Sequence, residues 1–552
     1  WHSERLALDD LPVLVLFDGW NSFFRQRVVP WRIALAEKMR RTLERETLPN
    51  FMQRQRWYAT KSVVPERAQI GEHAMLVAGS SEWLMALVDV DEGTQRARYF
   101  LPLAIAFEDS EEERMHALGP VAVSKIRQQA NMGLLADATG DEAFCRALVE
   151  FVGRGRTLKT ENGMLRGIAG AAFAGMADEA LRGELPLQRL TTSSNSVSLL
   201  GDRLFLKSYR RLQQGVSIEV EVGRYLTDVV HFDGCVPVLG SLEWVDKDGH
   251  ATTLALLQAQ VGNQGDAWVH FVEQLVRLLE GMDGTVAASV AAQATKATVQ
   301  RVERLAQRIA ELHVALGRPH DEADFDPVPV TPADLRGWVE AVLAELQTSM
   351  ALLARHAAAA AAHPLAAPVL AAQEALRARI ELAARAAPAG LKTRIHGDLH
   401  LQQILVCRDD FVIIDFEGEP ARPIAERRAR SSPWRDVAGM LRSFDYARES
   451  ALQAAAAGAV QREQLAPPAR HWERRAREAF LDAYWSAAVA GGLYEAGQRD
   501  DLLAVLDLFE IGKALYELRY EIDNRPDWIG VPLAGLAALA ALPDTPGERG
   551  RT

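Results

Sequence analysis

Residues 395–420 read IHGDLHLQQILVCRDDFVIIDFEGEP and set two acids and an amide at a spacing suited to phosphoryl transfer. Asp398 follows His396-Gly397 in a polar turn. Gln403 comes five residues later, and the apolar run Phe411–Ile414 leads to Asp415. Moving a phosphoryl group from ATP requires a carboxylate facing the acceptor hydroxyl. It also requires a carboxylate, with an amide or second carboxylate, to hold magnesium. Asp398 takes the first role in this reading. Gln403 and Asp415 take the second, each offering the hard oxygen that Mg²⁺ prefers. Either acid alone would read as an ordinary turn residue beside glycine. The whole constellation, D-x-x-x-x-Q followed by a strand and D-F, is far more specific. Many kinases carry Asn where Gln403 stands, so the longer side chain must still aim its oxygen at the ion.

Such a loop needs elements to deliver the nucleotide. Lys207 lies at the end of the apolar stretch Leu204–Leu206, and a helix is expected over Ser217–Val230. A strand lysine that meets the α- and β-phosphates is positioned by a helix glutamate, here expected to be Glu221, with Glu219 as the alternative. On its own, a strand-end lysine before a helical glutamate would read as solvated surface. The loop Ser193, Ser194, Asn195 and Ser196 offers hydroxyls and amides for phosphate oxygens. Gln258–Val261, with Gln258 and Gln260, ends a strand before a helical half and is expected to form the hinge that reads the adenine edge.

The wider pattern is α+β. Antiparallel strands are expected between Gln69 and Phe107, in EWLMALVDV and ARYFLPLAIAF. After Gly262 the pattern is helical for about 130 residues, and the Ala-rich stretch 351–388 carries enough Leu, Val, Ile, Arg and Glu to be helix rather than low complexity. The arrangement is a bilobal protein-kinase-like fold with an additional N-terminal strand-rich cap subdomain and a large helical C-lobe. Its expected divisions are 1–44, 45–190 (cap), 191–262 (remainder of the nucleotide-binding lobe) and 263–552 (catalytic lobe). LPVLVLFDGWNSFF (11–24) reads as a lone strand whose partners lie upstream, and the start at Trp1 fits a chain with preceding residues.

Bulk properties set the limits. At 552 residues the chain is too long for one core, and about three or four domains or lobes are expected. A net charge of -12 argues against a nucleic-acid partner, whose binding surfaces are basic. The scattered Cys145, Cys235 and Cys407 offer neither a disulfide framework nor metal spacing, which points to a reducing cytoplasm. No apolar run is long enough to span a membrane, and no signal-peptide pattern is visible.

QRWYATKS (55–62), the Ser/Asn loop, LFLKSYRRL, IHGDLHLQQ, VIIDFEGEP, WRDVAGMLRSFDYA (434–447) and KALYELRYEIDNRPDW (513–528) together resemble the maltokinases of the aminoglycoside-phosphotransferase-like kinase superfamily. The resemblance covers nearly all of 45–540. HGD and DF alone would mark only the superfamily, whereas IDFEGEP with RDVAGMLRSFDYA is narrower. The first 45 residues resemble the end of a trehalose synthase, as in fusions of the two. The resemblance implies maltose and ATP giving maltose 1-phosphate and ADP with Mg²⁺, in glycogen synthesis from trehalose. It implies that Asp398 accepts the proton of the anomeric hydroxyl. Lys513, Tyr516 and Tyr520 share one helical face and present a cation and two rings to a sugar, although a core helix with a snorkelling lysine would show the same pattern. His396, Glu417, Arg442 and Arg525 are further candidates for sugar contacts. A kinase for an aminoglycoside, choline or another sugar, or a silent module fused to trehalose synthase, are the competing readings.

Overall fold

The computed structural model describes residues 11–16, 31, 34–58, 65–92, 95–128, 130–190, 195–281, 287–357 and 363–542. The chain divides into two compact units, one of 1–231 with 236–262 and one of 232–235 with 263–552. The fold is kinase-like, with strand-rich N-terminal sheets and a large helical C-terminal region.

The first unit holds two sheets. One comprises β1 (Val13–Leu16), β2 (Ala68–Ala78), β3 (Ser81–Glu92), β4 (Gln95–Phe107), β5 (Ala122–Gln128) and β6 (Asn131–Asp137), in the order β1-β5-β6-β4-β3-β2. Successive residues of a strand point to opposite faces, and β3 shows what this does. Trp83, Met85 and Leu87 enter one core with α1 (Glu142–Gly153). Leu84, Ala86, Val88 and Val90 enter another with Leu43, Leu48, Phe51 and Met52. The expected antiparallel strands of 69–107 are present. The expectation for 11–24 needs correction, because β1 pairs in parallel with β5, Val13 opposite Lys125. Its partner lies more than a hundred residues downstream, not upstream. Leu14 and Leu16 face inward while Val13 and Val15 stay exposed, as a strand with one buried face requires.

The second sheet comprises β7 (Thr157–Lys159), β8 (Gly163–Ala169), β9 (Leu187–Leu190), β10 (Ser196–Leu200), β11 (Leu204–Ser208), β12 (Val238–Asp246) and β13 (Ala251–Ala259), in the order β7-β8-β12-β13-β11-β10-β9. Strands β7, β8 and β9, which precede residue 191, belong to the same sheet as Lys207. Strand pattern alone could not show this, because β8 joins the sheet through β12, some 75 residues on. Buried Arg210 ties the two sheets together. Its guanidinium bonds Asp137, Thr139 Oγ1 at 2.8 Å, Ser196 Oγ at 2.7 Å and the Phe100 carbonyl at 3.2 Å, and lies over the Trp57 ring.

The second unit is built from α3 (Ala267–Glu280), α4 (Ala287–Leu316), α5 (Pro332–Ala357), α6 (Gln373–Arg385), α7 (Trp434–Ala455), α8 (Ala459–Ala490), α9 (Arg499–Asn524) and α10 (Gly530–Ala540); α2 (Ile218–Arg224) belongs to the first unit. Here α4 packs on α8, and α9 packs on α5, α6, α7 and α10. The Ala-rich stretch is helical over α5 and α6, with 358–362 outside the described residues. A hairpin of β14 (Ile404–Cys407) and β15 (Asp410–Ile413) lies between Gln403 and Asp415, and is fastened at Ile413 N, which donates to Gly234 O at 2.8 Å. No helix among the described residues is long and apolar enough to cross a membrane. Burial pushes the thiols of Cys145 and Cys235 up to about 12, so both are packing residues.

Candidate active site

The turn at His396–Asp398 is held from below by α7. Asp436, in the first turn of α7 and buried, accepts from Gly397 N and His396 N, each at 2.8 Å, and from His313 Nε2 at 3.2 Å. Burial alone would push its carboxyl up. The facing His313 and the Gly397 N–H outweigh burial and hold it below the usual carboxylate range. Gly397 has φ +83, which glycine adopts without strain. Gly439 comes so close that a Cβ there would sit 2.6 Å from the Leu399 carbonyl, and Ser443 Oγ accepts from Leu401 N at 3.0 Å. Asp436, Gly439 and Ser443 are spaced i, i+3 and i+7, one helical face applied to one loop. WRDVAGMLRSFDYA contains all three.

Asp398 thereby projects toward α9. Its Oδ1 lies 3.3 Å from Lys513 Nζ, which is also 3.6 Å from Glu419 Oε1. Burial lowers the affinity of Lys513 for its proton, but Asp398, Glu419 and Glu517 together raise it above the ordinary lysine value. The ammonium is therefore fixed beside Asp398. Its nitrogen stands over the Tyr516 ring, 5.2 Å from the centroid. His400, 4.0 Å from Asp398 Oδ2, is held neutral near pH 7, because burial pulls its pKa down against the pull of that carboxylate.

A second group forms at the end of the hairpin. Gln403 Nε2 donates to Asp415 Oδ2 at 3.2 Å, and Asp415 and Glu417 bring carboxylate oxygens within 4.8 Å of each other. Asp415 has φ +65, a left-handed conformation uncommon outside glycine, and Glu417 N closes the turn onto Asp415 O at 2.8 Å. Two carboxylates and an amide oxygen make a donor set of hard oxygens, which fits Mg²⁺. Glu417 was expected to meet sugar hydroxyls; the geometry sets it beside the metal acid.

Within the first unit, Lys207 Nζ bonds Glu219 Oε2 at 2.7 Å, and Tyr209 Oη donates to the same oxygen at 2.7 Å. The expected partner, Glu221, is thus corrected to Glu219. On α2, which starts at Ile218, residues two apart lie about 200° apart, so only one glutamate can face the strand. Ser193 and Ser194 lie outside the described residues. Asn195 Oδ1 accepts from Arg210 N at 3.3 Å, and Ser196 Oγ accepts from Arg210 Nε, so Ser196 is a structural residue rather than an open phosphate contact. Gln258 and Gln260 are half-buried, and Gln260 N donates to Arg203 O at 2.7 Å. That N–H is engaged within the sheet.

Two expected sugar contacts are also corrected. His396 is buried, its Nε2 within 2.8 Å of the Ile414 carbonyl, its Nδ1 accepting from Asp398 N, and its ring against Phe416. It braces the loop. Arg442 is buried and bonds Glu517 Oε2 at 2.7 and 2.9 Å and Asp445. Arg442→Ala is expected to destabilise the fold by about 3–5 kcal/mol, the cost of leaving buried carboxylates without their cation. Chemical denaturation checks this; unchanged stability with weakened sugar binding would restore the first reading. Tyr520 is exposed, and Arg525 bonds Glu521 one turn back while lying over the Tyr520 ring. Sequence reasoning missed Glu419, His400, Asp436, His313 and Tyr209. A local signal existed for the first two, since both lie inside the opening stretch.

Residues 51–141 match the Maltokinase N-terminal cap domain. A glucosamine kinase of Mycolicibacterium smegmatis is 28% identical over 379 residues, covering 66% of this chain and 81% of that protein. One of Streptacidiphilus jiangxiensis is 30% identical over 149 residues, 26% and 31% of the two chains. The solved structure of a glucosamine kinase in complex with glucosamine, ADP and inorganic phosphate shares the fold, with a TM-score of 0.60 at 21% identity, covering 90% of this chain and 97% of that one. Residues 188–493, more than half of the chain, match the Phosphotransferase enzyme family, and this chain belongs to that family.

Proposed function

We propose that the protein phosphorylates maltose at its anomeric hydroxyl, using ATP, to give maltose 1-phosphate and ADP. The observation that carries the reading is the grouping of Asp398, Lys513, Glu419 and Tyr516 on the loop and α9. A sugar needs hydrogen-bond partners for its hydroxyls and an apolar surface for its ring, and this group offers both. Asp398 takes the proton of the anomeric hydroxyl as that oxygen bonds to the γ-phosphorus and the bond from phosphorus to the β-phosphate oxygen breaks, releasing ADP. Lys513 holds Asp398 and Glu419 in place. Lys207, fixed by Glu219, meets the α- and β-phosphates. Asp415 and Gln403, with Glu417 beside them, would hold Mg²⁺, which when bound neutralises phosphate charge. The match of residues 51–141 to a maltokinase cap supports this acceptor, and a physical link to a trehalose synthase is part of the reading. ATP as donor and three free thiols suit a cytoplasmic setting.

A second reading, glucosamine as acceptor, is favoured by the relatives' names and by buried Glu419, a carboxylate of the same group whose charge suits an amino substituent. ADP release with ATP-Mg²⁺ across maltose, glucose, trehalose, glucosamine and an aminoglycoside separates them. Maltose is expected to give the highest kcat/KM. Turnover of glucosamine at higher kcat/KM than maltose would replace the first reading by the second.

A further inference from the structure

Away from Asp398, the second unit contains a cavity of about 470 Å³ between the C-terminal half of α7, the start of α8 and the start of α10. Its floor is apolar, made by Leu365, Leu452, Val531 and Ala534. Its rim carries Arg448, Arg462 and Arg470 against only two acids, Glu449 and Asp527. Arg462 bonds Glu449, whereas Arg470 makes no ion pair among the described residues. Arg448 Nε stands 3.0 Å from Glu473. Burial and the neighbouring Asp445 push that carboxyl up. Gly530 and Val531 bring the positive end of the α10 dipole to the same wall. His363 packs on Gly530 so closely that a Cβ there would lie 2.8 Å from its Nε2.

Net positive charge, two carboxylates and an amide (Gln453) for hydroxyls, and an apolar floor define a ligand with an anionic end and a hydroxylated carbon skeleton. A cavity of this size accommodates a small metabolite. We infer that this cavity binds a phosphorylated sugar at a site separate from Asp398. Arg448 lies nine residues along α7 from Gly439, the residue that touches the catalytic loop, about 13 Å at 1.5 Å per residue. The guanidinium groups take the phosphate, since arginine matches its oxygens in a planar fork. Glu449 and Asp527 take hydroxyls. The ligand class is the one the proposed reaction produces, and α7 connects this cavity to the loop it supports.

The test is calorimetric titration of the full chain with glucose 1-phosphate, glucose and inorganic phosphate, on the wild type and on Arg462→Ala/Arg470→Ala. Both arginines are at least partly exposed, and neither has been placed at the catalytic loop. Glucose 1-phosphate is expected to bind the wild type, more tightly than inorganic phosphate and far more tightly than glucose. The double variant is expected to lose about tenfold or more in affinity for it, with turnover unchanged. Equal affinity of both proteins for glucose 1-phosphate overturns the site. Equal affinity of the wild type for inorganic phosphate and glucose 1-phosphate overturns the sugar assignment. The choice of maltose fails separately, through the acceptor panel, because the comparison of the two proteins reads this cavity whichever acceptor is used.

Discussion

Asp398→Asn is expected to lower kcat by about 10²–10⁴-fold, the range a positioned proton acceptor contributes, with nucleotide binding and melting temperature close to wild type. The side chain keeps its shape and loses its charge. An amide cannot accept the hydroxyl proton at neutral pH, so the nucleophile must lose it to water as the phosphorus–oxygen bond forms. Folding should be indifferent, because the loop is fixed through backbone groups, His396 N and Gly397 N on Asp436 and Asp398 N on His396. The Asp398 carboxylate bonds only Lys513 among the described residues, at 3.3 Å and partly exposed, a pair worth little to stability. Steady-state turnover with a denaturation curve on the same sample decides the matter. Near-native kcat would sink the assignment of Asp398 as base. A large loss of stability with the loss of activity would recast it as a structural residue.

How far the sequence could be read follows from how local each interaction is. Asp398, Gln403 and Asp415 span eighteen residues, and one hairpin brings the last two together, so their spacing already encodes their geometry. The choice between Glu219 and Glu221 was different. It depended on where α2 starts, and helix ends are the least legible part of a sequence. Residue type could not separate a sugar contact from a buried brace, so His396 and Arg442 read as binding groups although each is enclosed by partners far away in sequence. Asp436 and His313 were invisible for the same reason, since a carboxylate in the first turn of a helix usually reads as a favourable charge at the N-terminus. The pairing of β1 with β5, and the entry of β8 beside β12, are likewise long-range. An apolar alternation specifies that a strand has a buried face, not which strand lies next to it.

Asp436→Asn and Asp436→Ala should separate positioning from stability. In Asp436→Asn one oxygen becomes an N–H₂ group, which must face either the His396 N–H or the Gly397 N–H, and the loop has to move to relieve that contact. A displacement of about 1 Å at a reacting group can cost about 10²-fold. We therefore expect kcat to fall by about that factor with KM for the sugar little changed, since Lys513, Glu419 and Tyr516 are anchored elsewhere. In Asp436→Ala both N–H groups and His313 lose their acceptor, each buried unsatisfied group costing about 1–3 kcal/mol, so stability should fall as well. The pH dependence adds an independent reading. The folded Asp436 carboxyl is held below its ordinary value, so it contributes stability that is present above the ordinary carboxylate range and lost as pH falls through the folded pKa. Both variants should therefore lose less stability on acidification than the wild type. A fall in stability with kcat unchanged in Asp436→Asn would make Asp436 a core residue with no part in placing Asp398. A fall in kcat accompanied by the flatter acid limb would tie the catalytic loop to α7 through this one carboxylate.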